Sequence, residues 1–148
     1  MMVRDARAVA ASHLHASRQN WGSDWAAKNA YEAATRWHSY TAAAQTWHQD
    51  HPETPFLVVR YEDALSDPIA VLEEVLAFVL PAHVPPNSAQ VLKNFEAQQT
   101  TIQDPKGFAR VRGIEGWKQE LTLWQKLVVW RYTRKKMREF GYDIGLNR

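Results

Sequence analysis

Two short apolar runs constrain the fold more than any other feature of the sequence. Met1-Met2-Val3 ends at the charged pair Arg4-Asp5, and Phe56-Leu57-Val58-Val59 ends at Arg60. Both are continuous rather than alternating, which suits strands covered on both faces. The sequence between them is helix-prone. Strands that are separated by helices pair in parallel, so the expected class is α/β, parallel strands flanked by helices, with most of the chain helical. Two strands are too few for a stable doubly covered sheet, and edges left open would invite self-association or a partner.

The helices have local signals. Ala6 to Arg18 is alanine-rich, and alanine is the best helix former. Asn20-Trp21-Gly22-Ser23 is a break. Ser23 or Asp24 is the expected cap of a long helix running to about Asp50, with Trp37, Tyr40, Ala44 and Trp47 as its apolar stripe. Ser66-Asp67-Pro68 reads as a helix start, with a capping side chain and then proline in the first turn. Ile69, Leu72, Leu76 and Val79 then share a face. A short helix is expected around residues 89–95 and an irregular loop over 97–116. Thr122 and Gln125 have the spacing of a capping box. The helix they open ends in Arg134-Lys135-Lys136-Met137-Arg138, cations suited to the negative end of the helix dipole, with Gly141 as its C′ residue.

The 148 residues are expected to form one domain, 1–148. Hydrophobic residues make up 45%, enough for a core. No run reaches the ~18 apolar residues of a membrane span, and Met-Met-Val-Arg-Asp has no signal-peptide core. The sequence has no cysteine. That excludes disulfides and thiolate chemistry and suits a reducing, cytoplasmic setting. His38, His48, His51 and His83 have no metal-ligand spacing, so no metal is expected.

Charge is unevenly spread. Residues 1–105 carry 7 Lys/Arg and 12 Asp/Glu, whereas residues 106–148 carry 11 and 4. A basic third suits an anion, whether a small phosphorylated ligand, nucleic acid or lipid, or else a solvated helix face.

Three places could carry chemistry. Arg4 stands at the carboxyl end of a strand, the edge where open parallel sheets bind ligands. Ser12 follows eight residues later, about two helical turns along. A guanidinium and a hydroxyl delivered together can hold one phosphate; the alternative is that Arg4 pairs with Asp5 or another surface carboxylate while Ser12 simply sits in a helix. Tyr61, in Val59-Arg60-Tyr61-Glu62-Asp63, can stack on a nucleobase with its hydroxyl still wet, or pack as a rim tyrosine. Arg110 and Arg112, beside Gly113, can approach an anion closely or remain surface cations.

Taken in order, these places resemble the sulfotransferases that use 3′-phosphoadenosine 5′-phosphosulfate (PAPS), particularly the bacterial and tyrosylprotein-type branch. Met2 to Ser12 looks like that family's 3′-phosphate motif. Val59 to Asp63, then Asp67-Pro68 and a helix ending near Phe78, looks like its "YED…DP…F" segment. Gly113-Ile114-Glu115-Gly116-Trp117-Lys118, Leu121-Thr122 and Gly141-Tyr142 look like its C-terminal segment. The resemblance covers essentially the whole chain. It implies a partial P-loop-NTPase-like fold and transfer of a sulfuryl group from PAPS to an acceptor hydroxyl or amine. It also implies that Arg4 and Ser12 bind the 3′-phosphate of PAPS or its product PAP, that Tyr61 contacts the adenine, and that Arg110 and Arg112 close over the phosphate.

One departure stands out. The family's glycine-rich 5′-phosphosulfate loop precedes the 3′-phosphate motif, and residues 1–148 contain no such loop. The chain is therefore expected to be the C-terminal part of a sulfotransferase domain, with some PAP binding and weak or no turnover. The catalytic base has no motif match; His13 and His15, just after Ser12, are candidates by chemistry alone. The rival expectation is a non-enzymatic module whose basic last helix, through Arg134, Lys135, Lys136 and Arg138, binds nucleic acid or an anionic membrane. A nucleotide kinase relative is a weaker third reading, because no Walker A pattern is present.

Overall fold

A computed structural model describes residues 1–80 and 115–145. The expected helix at 89–95, most of the loop at 97–116, and Arg110 and Arg112 lie outside the described residues. The elements are β1 (Met2–Val3), α1 (Ala6–Ala16), α2 (Ala30–Asp50), β2 (Val59–Arg60), α3 (Tyr61–Ser66), α4 (Pro68–Val79), α5 (Trp117–Glu120) and α6 (Leu123–Glu139). β1 and β2 make a small two-stranded parallel sheet, and the rest of the described chain is mostly helical. The chain divides into two compact units. Among the described residues, one holds Met1, 3–56 and 115–145, and the other holds Met2 and 57–80.

The first unit is built on small side chains. Ala6 and Ala10 of α1, Ala30, Ala33, Ala34 and Trp37 of α2, and Val129 and Met137 of α6 share one core with Val3, Phe140 and Tyr142. Alanine-lined faces let helix backbones approach closely, and one aromatic pair fills the remaining gap. The rings of Trp37 and Phe140 meet edge to face, 6.2 Å apart. Another face of α1, through Ala8, Ala11 and Leu14, packs on Trp117 and Leu121. With two faces covered, Ser12 and His15 are left on the exposed side.

Caps set the helix ends. Asp5 starts α1 by accepting the amide of Arg7 at 2.7 Å. α2 starts at Asn29, not at Ser23 or Asp24: Asn29 Oδ1 accepts the amide of Glu32 at 2.8 Å. Residues 17–29 are spent instead in turns, with Gly22 pressed against Ala16. A Cβ on Gly22 would lie 2.2 Å from the Ala16 carbonyl oxygen. The aromatic stripe expected on α2 is also corrected. Trp37 is buried, but Tyr40 is 73% exposed and Trp47 45% exposed. The buried face is Ala30, Ala33, Ala34, Trp37 and Thr41, mostly small side chains that let α2 approach its neighbours closely.

Both ends of α6 match the sequence signals. Thr122 accepts the Gln125 amide while Gln125 Oε1 accepts the Thr122 amide, which closes the capping box. Gly141 takes the left-handed conformation, φ 74°. The turn α5 was not expected.

In the second unit, β2 is Val59–Arg60, only the last residue of the apolar run and the arginine after it. α3 follows at once, a short helix before the expected start at Ser66-Asp67-Pro68. Asp67 caps α4 by accepting the Ala70 amide at 3.0 Å, with Pro68 in the first turn. Leu72 and Leu76 of α4 are half-buried, and Ile69 and Val79 are exposed.

Candidate functional site

The corner between β1 and α1 is held from several directions, all within the first unit. Trp37 Nε1 of α2 donates to the Arg4 carbonyl at 2.9 Å. The Tyr142 hydroxyl donates to the Val3 carbonyl at 3.1 Å. These bonds fix the peptide units on both sides of Arg4. The next residue, Asp5, is buried and caps α1, so the chain enters the helix at a defined angle.

Asp5 pairs with Arg7. The Asp5 carboxylate accepts Arg7 Nε at 3.0 and 3.2 Å and Nη2 at 2.6 Å. Both side chains are almost fully buried. The rest of the guanidinium is spent on the C-terminal tail: Nη1 donates to the Gly145 carbonyl at 2.6 Å and Nη2 to the Asp143 carbonyl at 2.7 Å. The Trp117 ring packs against the guanidinium, 4.0 Å from centroid to Cζ. A buried charge is tolerated only when paired and hydrogen-bonded, and here a carboxylate, two carbonyls and an indole face meet that requirement. Asp5, Arg7, Trp117 and Tyr142 belong to the recognised segments, but their convergence could not be read from sequence. The single hint was an Asp and an Arg two residues apart in an otherwise apolar helix start.

Arg4 is half-buried at the tip of β1, and Ser12 lies exposed on α1. Both are in the first unit. Tyr61 is half-buried as the first residue of α3, in the second unit. Next to it Glu62 is buried, and its carbonyl accepts the Ser66 hydroxyl at 2.9 Å. Arg60 reaches Asp63 at 3.9 Å.

The two histidines after Ser12 differ. His13 Nδ1 accepts the amide of Ala27 at 3.1 Å, and the Trp25 ring meets it edge-on at 5.6 Å. Accepting at Nδ1 leaves the proton on Nε2, so the neutral ring has no lone pair to spare as a base. Burial, and then the nearby Arg36 cation, hold its pKa below the ordinary 6.5, against a smaller opposing pull from Glu32. His15 is exposed, one turn beyond Ser12. His48 and His51 are used in ring stacking, on Phe56 and Trp47 respectively.

The basic end of α6 is partly engaged in packing. Lys136 Nζ donates to Gln45 Oε1 at 2.5 Å and pairs with Glu139 at 3.0 Å. Arg134 lies over the Trp130 ring at 4.4 Å. Lys135 and Arg138 are exposed. Among the described residues, no group of three or more His, Cys, Asp or Glu is placed to hold a metal ion, and no helix is long and apolar enough to cross a membrane.

The described geometry is thus a strand tip bearing arginine, a serine two turns along the next helix, and a C-terminal segment folded back on that tip. The family model described as "Sulfotransferase domain" matches residues 1–141, and the chain belongs to the sulfotransferase family. No curated protein and no solved structure matches it.

Proposed function

We propose that this chain carries the 3′-phosphate and adenine half of a PAPS-dependent sulfotransferase site. Arg4 supplies a guanidinium to the doubly charged 3′-phosphate and Ser12 a short hydroxyl donor. Tyr61 stacks on the adenine. Arg110 and Arg112 are the candidates for closing over the phosphate. The observation that carries the reading is the family match over residues 1–141, combined with Arg4 standing at a strand tip whose backbone is hydrogen-bonded on both sides.

In the reaction the acceptor oxygen or nitrogen attacks sulfur in line. The sulfur–oxygen bond to the 5′-phosphate breaks, the acceptor's proton passes to a base, and PAP leaves. As in phosphoryl transfer, positioning and charge stabilisation supply most of the acceleration. The residues named here bind and orient the nucleotide. No residue of this chain is assigned as the base, and His13 is a poor candidate because its Nδ1 lone pair is already used. The acceptor is a hydroxyl or an amine.

The six glycines at 22, 107, 113, 116, 141 and 145 are scattered along the sequence and form no glycine-rich run. Residues 1–148 by themselves are therefore expected to bind PAP and to transfer sulfate slowly or not at all. The rival reading, a basic helix for nucleic acid or membrane, finds Arg134 and Lys136 already used in packing.

Calorimetric titration with PAP tests the reading. A hydrogen bond to a charged group is worth roughly 1.5–3 kcal/mol, so Arg4→Ala should weaken PAP binding by about ten- to a hundredfold. Equal affinities of the two proteins would remove Arg4 from the site.

A further inference from the structure

We infer that Tyr142 is a positioning residue for nucleotide binding, with residues 142–145 acting as a strap that holds Arg4 in its phosphate-binding pose; this rests on the assignment of Arg4 above. Tyr142 and Arg4 are remote in sequence yet converge on one peptide unit. The Tyr142 hydroxyl donates to the Val3 carbonyl, and the Val3 carbonyl belongs to the peptide that leads into Arg4. The aromatic ring is buried in the same core as Val3 and Trp37. Tyr142's own amide is fixed by the carbonyl of Met137 at 3.0 Å, just past the end of α6. The strap therefore has a rigid root.

Its far end is also held. Arg7 grips the carbonyls of Asp143 and Gly145 while its other edge is locked on Asp5, the residue after Arg4. The Gly145 amide folds back on Asp143 Oδ1 at 2.9 Å, which sets the turn that presents those carbonyls to Arg7. Tail and strand tip are thus joined at Val3 and, through Arg7, at Asp5, the residues on either side of Arg4. A half-buried arginine has many rotamers and loses much entropy on binding. Fixing its backbone on both sides reduces what remains to be lost, the general route by which preorganisation raises affinity.

The conservative variant Tyr142→Phe removes one hydroxyl and keeps the ring in the core, so the fold should survive it. PAP titration of wild type, Tyr142→Phe, Arg4→Ala and the double variant forms a cycle that measures coupling directly. Tyr142→Phe should weaken PAP binding about two- to tenfold, the range set by one neutral hydrogen bond. In the Arg4→Ala background it should change affinity by less than about 1.5-fold, because the residue it positions is gone. Linkage is reciprocal. Saturating PAP should slow hydrogen exchange of the Tyr142 and Gly145 amides in wild type and leave it unchanged in Arg4→Ala.

Wild-type affinity of Tyr142→Phe, with Arg4→Ala weakened, would overturn the strap and leave the phosphate assignment standing. An equal loss from Tyr142→Phe in both backgrounds would also overturn it, since the hydroxyl would then act independently of Arg4. Wild-type affinity of Arg4→Ala, or no PAP binding at all, would remove the phosphate assignment and the strap with it.

Discussion

Arg7 and Asp5 show how one buried ion pair can stabilise a local element and a long-range contact together. The carboxylate caps α1 and neutralises the guanidinium, and the guanidinium then anchors the tail. Removing one partner strands the other charge in the core. Arg7→Met should therefore destabilise the chain by about 3–5 kcal/mol, read from denaturant unfolding. The double variant Asp5→Asn, Arg7→Met keeps a capping side chain and buries no charge, so it should recover part of that loss. A double variant no better than Arg7→Met would show that the carbonyl contacts, not the pairing, dominate. His13 supplies a second residue-scale test. Its folded pKa lies below the ordinary 6.5, so the unfolded chain binds more protons as pH falls through the window below about 6.5. Stability due to this group is complete above that pH and is lost as acid converts the Nδ1 acceptor into a donor facing the Ala27 amide. His13→Asn places a non-titrating oxygen near the Nδ1 position. Unfolding free energies measured at stepped pH should fall less steeply for it than for wild type, and parallel curves would remove His13 from the pH dependence.

At the scale of elements, the turns between α1 and α2 depend on Gly22. A side chain there would collide with backbone rather than with a flexible group. Gly22→Ala should cost about 1–3 kcal/mol, the range for overpacking, and an unchanged melting temperature would contradict the close approach. At the start of α6, Thr122→Ala removes half of the capping box and should cost about 1 kcal/mol. The cap pairs Thr122–Gln125 and Asp67–Pro68 and the C′ residue Gly141 were legible because each acts within a few residues. The start of α2 was not. Ser23, Asp24 and Asn29 all have capping chemistry, and only the packing of Gly22 on Ala16 decides that the chain is still turning at residue 24. The buried face of α2 was misread for a related reason. Large aromatics carry the hydrophobic signal, but a close α2–α6 contact selects alanines and leaves Tyr40 and Trp47 outside. α3 and α5 are short turns with weak periodicity, so nothing local announced them.

For the whole molecule, the family match and the small parallel sheet agree with the expected class. The order of segments along the chain made that class readable, because order survives even when each motif alone is weak. The family, the strand tip at Arg4, the helix α1 that follows it and the caps at Asp67, Thr122 and Gly141 are all readable from residue order, since short-range backbone chemistry and motif order require no knowledge of the fold. Folding in three dimensions settles that Asp5 pairs with Arg7, that Trp37 and Tyr142 grip the backbone around Arg4, and that the tail closes on the strand tip. The grips of Trp37, Tyr142 and the tail join residues more than thirty, and in places more than a hundred, positions apart, and such pairings arise from packing one element on another rather than from any local preference of the chain.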